Sequence, residues 1–152
     1  MTTPTPMVQE FFREYAHSRS ASDIDGIVSQ YPDSFMFAGP KGARVTEKSV
    51  VLATFSKGQE FLTSLGHKST ELLTLDETRM DEHYVLVRAL FVWRFQRALA
   101  EPIDVKVDST FILFIDEGAP KIVFQHERED FQQLLRASGV LPSLPSDLEE
   151  DR

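Results

Sequence analysis

Two stretches of sequence decide the fold: YVLVRALFVWRFQR at residues 84–97 and DVKVDSTFILFID at residues 104–116. In both, apolar residues recur at every second position, which is the period of a β-strand whose successive side chains point to opposite faces. The more apolar face carries Val85, Val87, Ala89, Phe91, Trp93, Phe95, Val105, Val107, Ser109, Phe111, Leu113 and Ile115. This face is predicted to form a hydrophobic core on one side of a sheet.

The opposite face of these two strands is polar at its ends and apolar in its middle. Its apolar residues, which we name the outer-face patch, are Leu86, Leu90, Val92, Ile112 and Phe114. An apolar patch with a charged rim is typical of a surface that binds a partner. We therefore expect a homodimer paired through the outer-face patch. The alternative is that the third or fourth helix of the chain covers it.

The remaining strands follow from the same period of two. Residues 69–80 and 121–127 are predicted strands, and the short turns between successive strands make antiparallel neighbours the simplest arrangement. SFMFAG at residues 34–39 is an earlier strand that ends in a Gly-Pro-Lys-Gly turn. The sequence thus predicts one early strand followed by a run of long antiparallel strands.

Helical spacing predicts four helices around these strands. The first covers about residues 6–18, and a short second helix follows at residues 23–31. The third is capped by Thr46 and ends at Gly66, and the last covers about residues 129–138. A set of helices on one side of an antiparallel sheet defines an α+β fold.

Composition excludes several classes of function. The chain has 152 residues, and no cysteine among them, which excludes disulfides, thiolate metal sites and cysteine nucleophiles. Sixteen basic and 24 acidic residues give a net charge of −8, which argues against nucleic acid and anionic membranes as partners. No pair of histidines has the spacing of metal ligands, and no glycine-rich phosphate loop occurs, so neither a metal nor a cofactor is expected.

The chain is predicted to form a single domain over residues 6–139. Residues 1–5 are expected to be disordered, and residues 140–152 form an acidic tail. No apolar run approaches the roughly 18 residues of a membrane span. The N-terminus lacks a basic segment followed by an apolar stretch, so we expect a cytoplasmic location.

The order of helices and strands over residues 7–138 resembles the cone-shaped fold of the nuclear transport factor 2 (NTF2)-like superfamily. The most specific piece runs from Val8 to Pro40, where a helix is followed by DIDGIV, YPDSF and a strand, as in ketosteroid isomerases. The superfamily also includes scytalone dehydratases and SnoaL-like polyketide cyclases. The resemblance implies a curved antiparallel sheet with the N-terminal helices packed on its concave face.

The resemblance also implies functional positions, and only one of three carries a suitable side chain. The oxyanion-binding tyrosine of the isomerases falls on Tyr15. Their general base falls on Gly39, which has no proton acceptor in its side chain, and their second oxyanion acid falls near Phe111. Steroid isomerisation in that form is therefore not expected.

Tyr15 and His126 are the candidate catalytic residues. His126 alternates with Ile122 and Phe124, so it is predicted to face the interior, where an imidazole suits general acid or base chemistry. The structural alternatives are a locally hydrogen-bonded core tyrosine and a register shift of one residue that turns His126 to water. The candidate ligand-binding residues are Phe37, Phe55, Phe91, Trp93, Phe95 and Phe111; the alternative is a plain hydrophobic core.

Three functions remain open. The first is a small-molecule-binding domain with an apolar pocket and little or no catalytic activity. The second is a SnoaL-like isomerase, dehydratase or cyclase that acts on a small apolar or aromatic substrate without metal or cofactor. The third is a dimeric protein-interaction module. The sequence leaves open whether the protein is an enzyme.

Overall fold

The structure is a computed structural model that describes residues 4–142. Four helices and six strands follow one another along the chain. They are α1 (Pro6–Ser20), α2 (Ile24–Val28), β1 (Ser34–Gly39), β2 (Gly42–Glu47), α3 (Lys48–Ser64), β3 (His67–Arg79), β4 (Tyr84–Phe95), β5 (Ile103–Phe114), β6 (Lys121–Glu127) and α4 (Phe131–Ala137). The predicted α+β class is confirmed.

The strands form one curved, open sheet in the order β2-β1-β6-β5-β4-β3. Neighbouring strands are antiparallel except for β1 and β6, which pair in parallel through Met36 with Phe124 and Phe37 with Gln125. This parallel pair joins the N-terminal hairpin to the long C-terminal strands, so that residues far apart in sequence meet on β1 and β6.

Strand β2 was missed by the sequence analysis, which began a helix at Thr46. The six residues GARVTE pair with β1 through a turn at Pro40 and Lys41, in which Gly42 adopts a positive φ of 126°. The strand has one large apolar residue, Val45, which is 66% exposed. An edge strand that buries no side chain leaves no apolar alternation to detect, and α3 begins only at Lys48.

The core lies between α1 and the sheet face predicted to be apolar, which we call the inner face. On the sheet side, Val85, Val87, Phe111, Leu113 and Ile122 are fully buried. On the helix side, the predicted stripe is buried against them and consists of Val8, Phe11, Phe12 and Tyr15. The predicted position of the N-terminal helices against the sheet is confirmed.

Hydrogen bonds hold both ends of α1 to β3. At the start, Glu77 accepts from the backbone N–H of Thr5 at 2.9 Å and from its hydroxyl at 3.1 Å. At the end, the hydroxyl of Ser20 donates to the carbonyl of Thr70 at 2.8 Å and accepts from its N–H at 2.7 Å. These contacts fix the register of the helix, and therefore the positions of Tyr15 and Arg19 on it.

A second hydrophobic cluster closes the other end of the inner face. It joins Phe95, Val105 and Val107 of the sheet to Leu135 of α4 and to Val140, which is 2% exposed. Val140 therefore packs with the core, although the sequence analysis placed it at the start of the acidic tail. Residues 143–152 of that tail, and residues 1–3 of the predicted disordered N-terminus, lie outside the described residues.

Helix α3 has an unusual surface for its length. It spans 17 residues, and none of them is buried. Val51 and Phe55 are partly buried against the core around α1, and Leu62 against the cluster around α4. The helix therefore covers the inner side of the molecule with few tight contacts. Within residues 4–142, no helix is long and apolar enough to cross a membrane.

Candidate functional site

A cavity of about 520 Å³ lies on the inner face of the sheet, between α3 and α4. Aromatic and aliphatic residues form most of its wall, and polar residues gather where the end of β6 pairs with Ser109 in the middle of β5. The lining residues are Tyr15, Arg19, Phe37, Gly39, Pro40, Gly58, Phe61, Leu62, Phe91, Trp93, Val107, Ser109, Gln125, Glu127, Glu129, Asp130, Phe131 and Gln132. Of the predicted site residues, Tyr15, Phe37, Phe91 and Trp93 line it.

Three of the phenylalanines predicted to bind a ligand lie elsewhere. Phe95 and Phe111 are 2% and 0% exposed, and they belong to the two core clusters. Phe55 packs partly against the core around α1 and lines a separate shallow groove on α3. The assignment of these residues to the cavity wall was wrong. A period of two identifies which side chains of a strand face inward, but it does not show which of them border a cavity and which are packed in the core.

The predicted orientation of His126 was also wrong. It lies opposite Thr110 on the outer face of the sheet and does not line the cavity. The cause is a β-bulge: Leu113 pairs with Ile122 while Ile112 pairs with Phe124, so the intervening Val123 has no partner. One extra residue reverses the faces beyond it, and Phe124 therefore points outward with His126.

The same bulge turns Gln125 and Glu127 inward, where they join a hydrogen-bonded network. The Tyr31 hydroxyl donates to Gln125 Oε1 at 2.6 Å, and Gln125 Nε2 donates to Glu127 Oε2 at 2.9 Å. Gln125 Nε2 also lies 3.3 Å from the Tyr15 hydroxyl oxygen. Ser109 Oγ donates to the other carboxylate oxygen, Glu127 Oε1. Each oxygen of Glu127 thus receives one hydrogen bond.

Arg19 completes this network from the end of α1. Its guanidinium carbon lies 3.3 Å from the centre of the Tyr15 ring. Its Nη2 donates to the Tyr31 hydroxyl at 3.0 Å, and its Nη1 donates to the Tyr15 carbonyl at 3.2 Å. We name the group Arg19, Tyr31, Gln125, Glu127 and Ser109 the polar network; within it, Ser109 and Gln125 donate to Glu127, and Arg19 is linked to Gln125 through Tyr31.

Burial shifts the acid–base behaviour of three groups here. Removal from water raises the pKa of the Glu127 carboxyl, although hydrogen bonds from Ser109 and Gln125 and the charge of Arg19 oppose the shift. Burial also raises the pKa of Tyr31, and it raises the pKa of Tyr15 well above the ordinary value. Both hydroxyls therefore remain protonated at neutral pH, while the carboxyl is easier to protonate than one in water.

The turn after β1 and the start of α4 border one part of the cavity. Gly39 lines the cavity as a backbone surface and supplies no proton acceptor. Asp130 accepts from the Gln133 N–H at 3.1 Å and caps α4, which begins at Phe131 and not at residue 129 as the sequence predicted. Within residues 4–142, no group of three His, Asp or Glu side chains is arranged to hold a metal ion.

No family model and no curated protein sequence matches the chain. Solved structures do match it. The β subunit of benzoate 1,2-dioxygenase from Burkholderia mallei superposes with a TM-score of 0.69 over 88% of this chain and 96% of that chain, at 14% identity. An NTF2-like protein with a cystatin-like fold from Novosphingobium aromaticivorans gives 0.68 over 91% and 88%, at 10% identity.

A third solved structure shows the same fold. A ketosteroid isomerase-like protein from Erwinia carotovora superposes with a TM-score of 0.59 over 80% of this chain and 92% of that chain, at 14% identity. The fold is NTF2-like. The resemblance seen in the sequence is thereby confirmed at the level of fold, which in the NTF2-like superfamily does not determine activity.

Sequence reasoning missed the four members of the polar network that line the cavity: Arg19, Ser109, Gln125 and Glu127. Ser109 gave a usable signal, because it is the single polar residue on the apolar face of β5. Gln125 and Glu127 are two residues apart and so share one face of β6, while His126 lies on the other. Which of the two faces points inward depends on the bulge at Val123. Arg19 gave no signal, since a basic residue in the last turn of a helix is ordinary.

Proposed function

We propose that the chain binds a small molecule with a largely apolar body in the cavity. The observation that carries the proposal is the division of the cavity wall, with apolar side chains over most of it and the polar network at one end. Binding sites for small molecules commonly combine such a lining with a few fixed polar groups. A volume of about 520 Å³ falls within the range of known ligand pockets.

The chain's single tryptophan makes this proposal testable. Trp93 lines the cavity, so a bound molecule should change its fluorescence. We expect this fluorescence to change with the concentration of phenylpropanol, a neutral probe with one aromatic ring, and to reach a plateau. Gly58 offers a way to fill the cavity from α3. A Cβ atom added there meets nothing within 4 Å, so the backbone at Gly58 leaves room for a side chain to begin. We expect Gly58→Leu to weaken binding of the probe by about tenfold or more, which corresponds to about 1.4 kcal/mol.

Ser56→Leu is the matched control for this experiment. Ser56 is exposed on the same helix and lines the shallow groove beside Phe55 instead of the cavity. The control should bind the probe as the wild type does. The proposal would be contradicted if Gly58→Leu and the wild type bound the probe equally well, or if the fluorescence of Trp93 did not change when the probe was added.

A second candidate function is the isomerase, dehydratase or cyclase considered from the sequence. The observation that favours it is the Glu127 carboxyl, which lines the cavity close to the Tyr15 hydroxyl through their shared partner Gln125. In this reaction Glu127, in place of Gly39 or His126, would take a proton from a carbon beside a carbonyl and return it at another carbon. Tyr15 would donate to the carbonyl oxygen.

The enzymatic candidate has its own test. Isomerisation of a small β,γ-unsaturated ketone should be abolished by Glu127→Gln while phenylpropanol still binds, because the variant keeps the shape of the side chain. The activity should survive a metal chelator. Turnover by Glu127→Gln at the wild-type rate would exclude Glu127 as the proton acceptor and leave the binding proposal untouched.

We also propose that the protein is a homodimer paired through the outer face of the sheet. Four residues of the outer-face patch are only partly buried, whereas Val92 is buried within the chain, and among the described residues the helices pack on the inner face. The register extends the patch into a row across five strands: Val45, Met36, Phe124, Ile112 and Leu86. Burying such a surface contributes about 25 cal/mol per Å² of apolar area.

Sedimentation at micromolar concentration tests the dimer. The wild type should sediment at twice the chain mass, and Ile112→Lys should sediment as a monomer, because it would place two charges near the twofold axis. Ser56→Lys, at an exposed position of α3 away from the outer face of the sheet, is the control and should remain a dimer. A monomeric wild type would remove the dimer proposal. The cytoplasmic location stays a prediction from the sequence.

A further inference from the structure

Glu127 is a carboxyl group that the protein itself does not pair with a charge. Its two oxygens accept hydrogen bonds from Ser109 Oγ and Gln125 Nε2, which are both uncharged donors. Within residues 4–142 it forms no ion pair. A carboxylate has about four lone-pair positions, so each oxygen keeps capacity for a further donor. A buried charge of this kind normally has a counter-charge nearby.

Arg19 is the basic residue of the cavity, and its guanidinium is engaged elsewhere. It stacks on the Tyr15 ring and donates to the Tyr31 hydroxyl and the Tyr15 carbonyl, all of which are neutral groups. Its positive charge lowers the pKa of Glu127, yet the effect of burial is larger and the net shift is upward. The ionised form of Glu127 is therefore incompletely compensated in the empty cavity.

The rest of the cavity lining suits a cation that carries an apolar body. Glu129 and Asp130 add two carboxylates, so the lining has three acidic side chains and one basic side chain. The rings of Trp93 and Phe131, whose centres lie 5.0 Å apart, line the same cavity as Glu127 and offer an aromatic surface to the apolar body.

We propose that the ligand is an organic amine bound as its cation, with the ammonium group at Glu127 and the apolar body against Trp93 and Phe131. This inference rests on the proposed function and specifies the ligand class for the same cavity. The ammonium donates to the free lone pairs of the carboxylate and supplies the counter-charge that the protein lacks. The remaining aromatic wall then encloses the apolar part of the amine.

Three probes of one shape test the charge directly: phenylpropylamine, phenylpropanol and phenylpropanoate. They present a cation, a neutral group and an anion on the same ring and chain. Trp93 fluorescence should show the amine binding about tenfold or more tighter than the alcohol, the factor that one ion-pair contribution of about 1.4 kcal/mol produces. The anion should bind more weakly than the alcohol.

Two variants assign the preference to Glu127. Glu127→Gln should bind the amine and the alcohol with equal affinity, since it removes the charge and keeps the shape. Asp108→Asn removes one negative charge from the outer face of the neighbouring strand, and it should retain the full preference for the amine. In the wild type, amine affinity should rise with pH as Glu127 ionises, and alcohol affinity should not.

The outcomes separate this inference from the proposed function. Equal binding of amine and alcohol by the wild type would overturn the amine assignment while leaving a binding cavity. Tightest binding of phenylpropanoate would overturn it in favour of Arg19 as the charged contact. Absence of binding by all three probes would overturn both proposals. Because the probe series on the wild type is decisive alone, a variant that fails to fold leaves the test intact.

Discussion

Polar side chains are arranged differently on the two faces of the sheet. On the inner face, polar groups gather at one end and bond to one another, as Tyr31, Gln125 and Glu127 do. On the outer face, charged residues pair across strands at the surface, as Arg88 and Asp108 do at 3.2 Å, and apolar residues lie between them. In the functions proposed above, the inner arrangement would hold the polar groups that contact a ligand, whereas the outer arrangement would border the surface that contacts a second copy of the chain.

The largest difference between the faces is expected in the free energy of unfolding. Phe111 on the inner face is fully buried, and its ring contacts those of Phe12, Tyr15 and Phe91. Phe111→Ala should cost about 3–5 kcal/mol, the usual effect of leaving a large cavity in a core. Chemical denaturation measures this value.

Phe114, three residues further along the same strand, supplies the comparison. It lies on the outer face and is only partly buried. In a dilute sample, Phe114→Ala should lose clearly less stability than Phe111→Ala. Equal losses would mean that the outer face is packed as tightly as the inner face. The contrast between a packed inner face and a partly exposed outer face would then be wrong.

A smaller change in the free energy of unfolding is expected when the polar network is disrupted. Gln125→Leu removes the acceptor of the Tyr31 hydroxyl and a donor to Glu127, and leaves both groups without those partners in a buried place. Each unsatisfied buried group costs about 1–3 kcal/mol. Thermal unfolding should show a clear loss of stability, whereas a change within error would mean that water replaces Gln125 at no cost.

The pH dependence of stability should report on Glu127. Its folded pKa is raised above the ordinary value of 4.5, so between those two values the folded state binds more protons than the unfolded state. The free energy of unfolding contributed by this group therefore falls as pH rises through that window, by at most about 1.4 kcal/mol per pH unit.

Glu127→Gln should remove this fall, so the variant gains stability relative to the wild type as pH rises through the window. Urea denaturation at a series of pH values measures the slope. Glu101→Gln, in an exposed loop, is the control and should keep the wild-type slope. A wild-type slope in Glu127→Gln would show that another group is responsible.

The smallest contribution to the free energy of unfolding is expected from the ion pair on the outer face. Arg88 and Asp108 are both substantially exposed, and exposed ion pairs contribute about 0.2–1 kcal/mol. A double-mutant cycle with Arg88→Met and Asp108→Asn should give a coupling energy in that range, and it should shrink at high salt. A coupling above the range would indicate that this pair is buried, as it would be at the edge of a dimer interface.

The sequence predicted the fold well and the site in part, for a physical reason. Alternation along β4 and β5 is set by which side chains are buried, so it revealed the inner face and with it Phe91 and Trp93. The bulge at Val123 is set by pairing with β5, and the local sequence IVFQHE, with three apolar residues followed by three polar ones, gives no sign of it. A local pattern therefore placed His126 inside and overlooked Glu127.

The absence of buried residues in α3 has a kinetic consequence. A helix of 17 residues with few tight contacts should open locally at a small free-energy cost, so its amide protons should exchange with solvent faster than those of α1. Gly58, Phe61 and Leu62 of this helix form one wall of the cavity. Brief opening of α3 would then set the rate at which a molecule enters or leaves, independently of how tightly the closed cavity holds it.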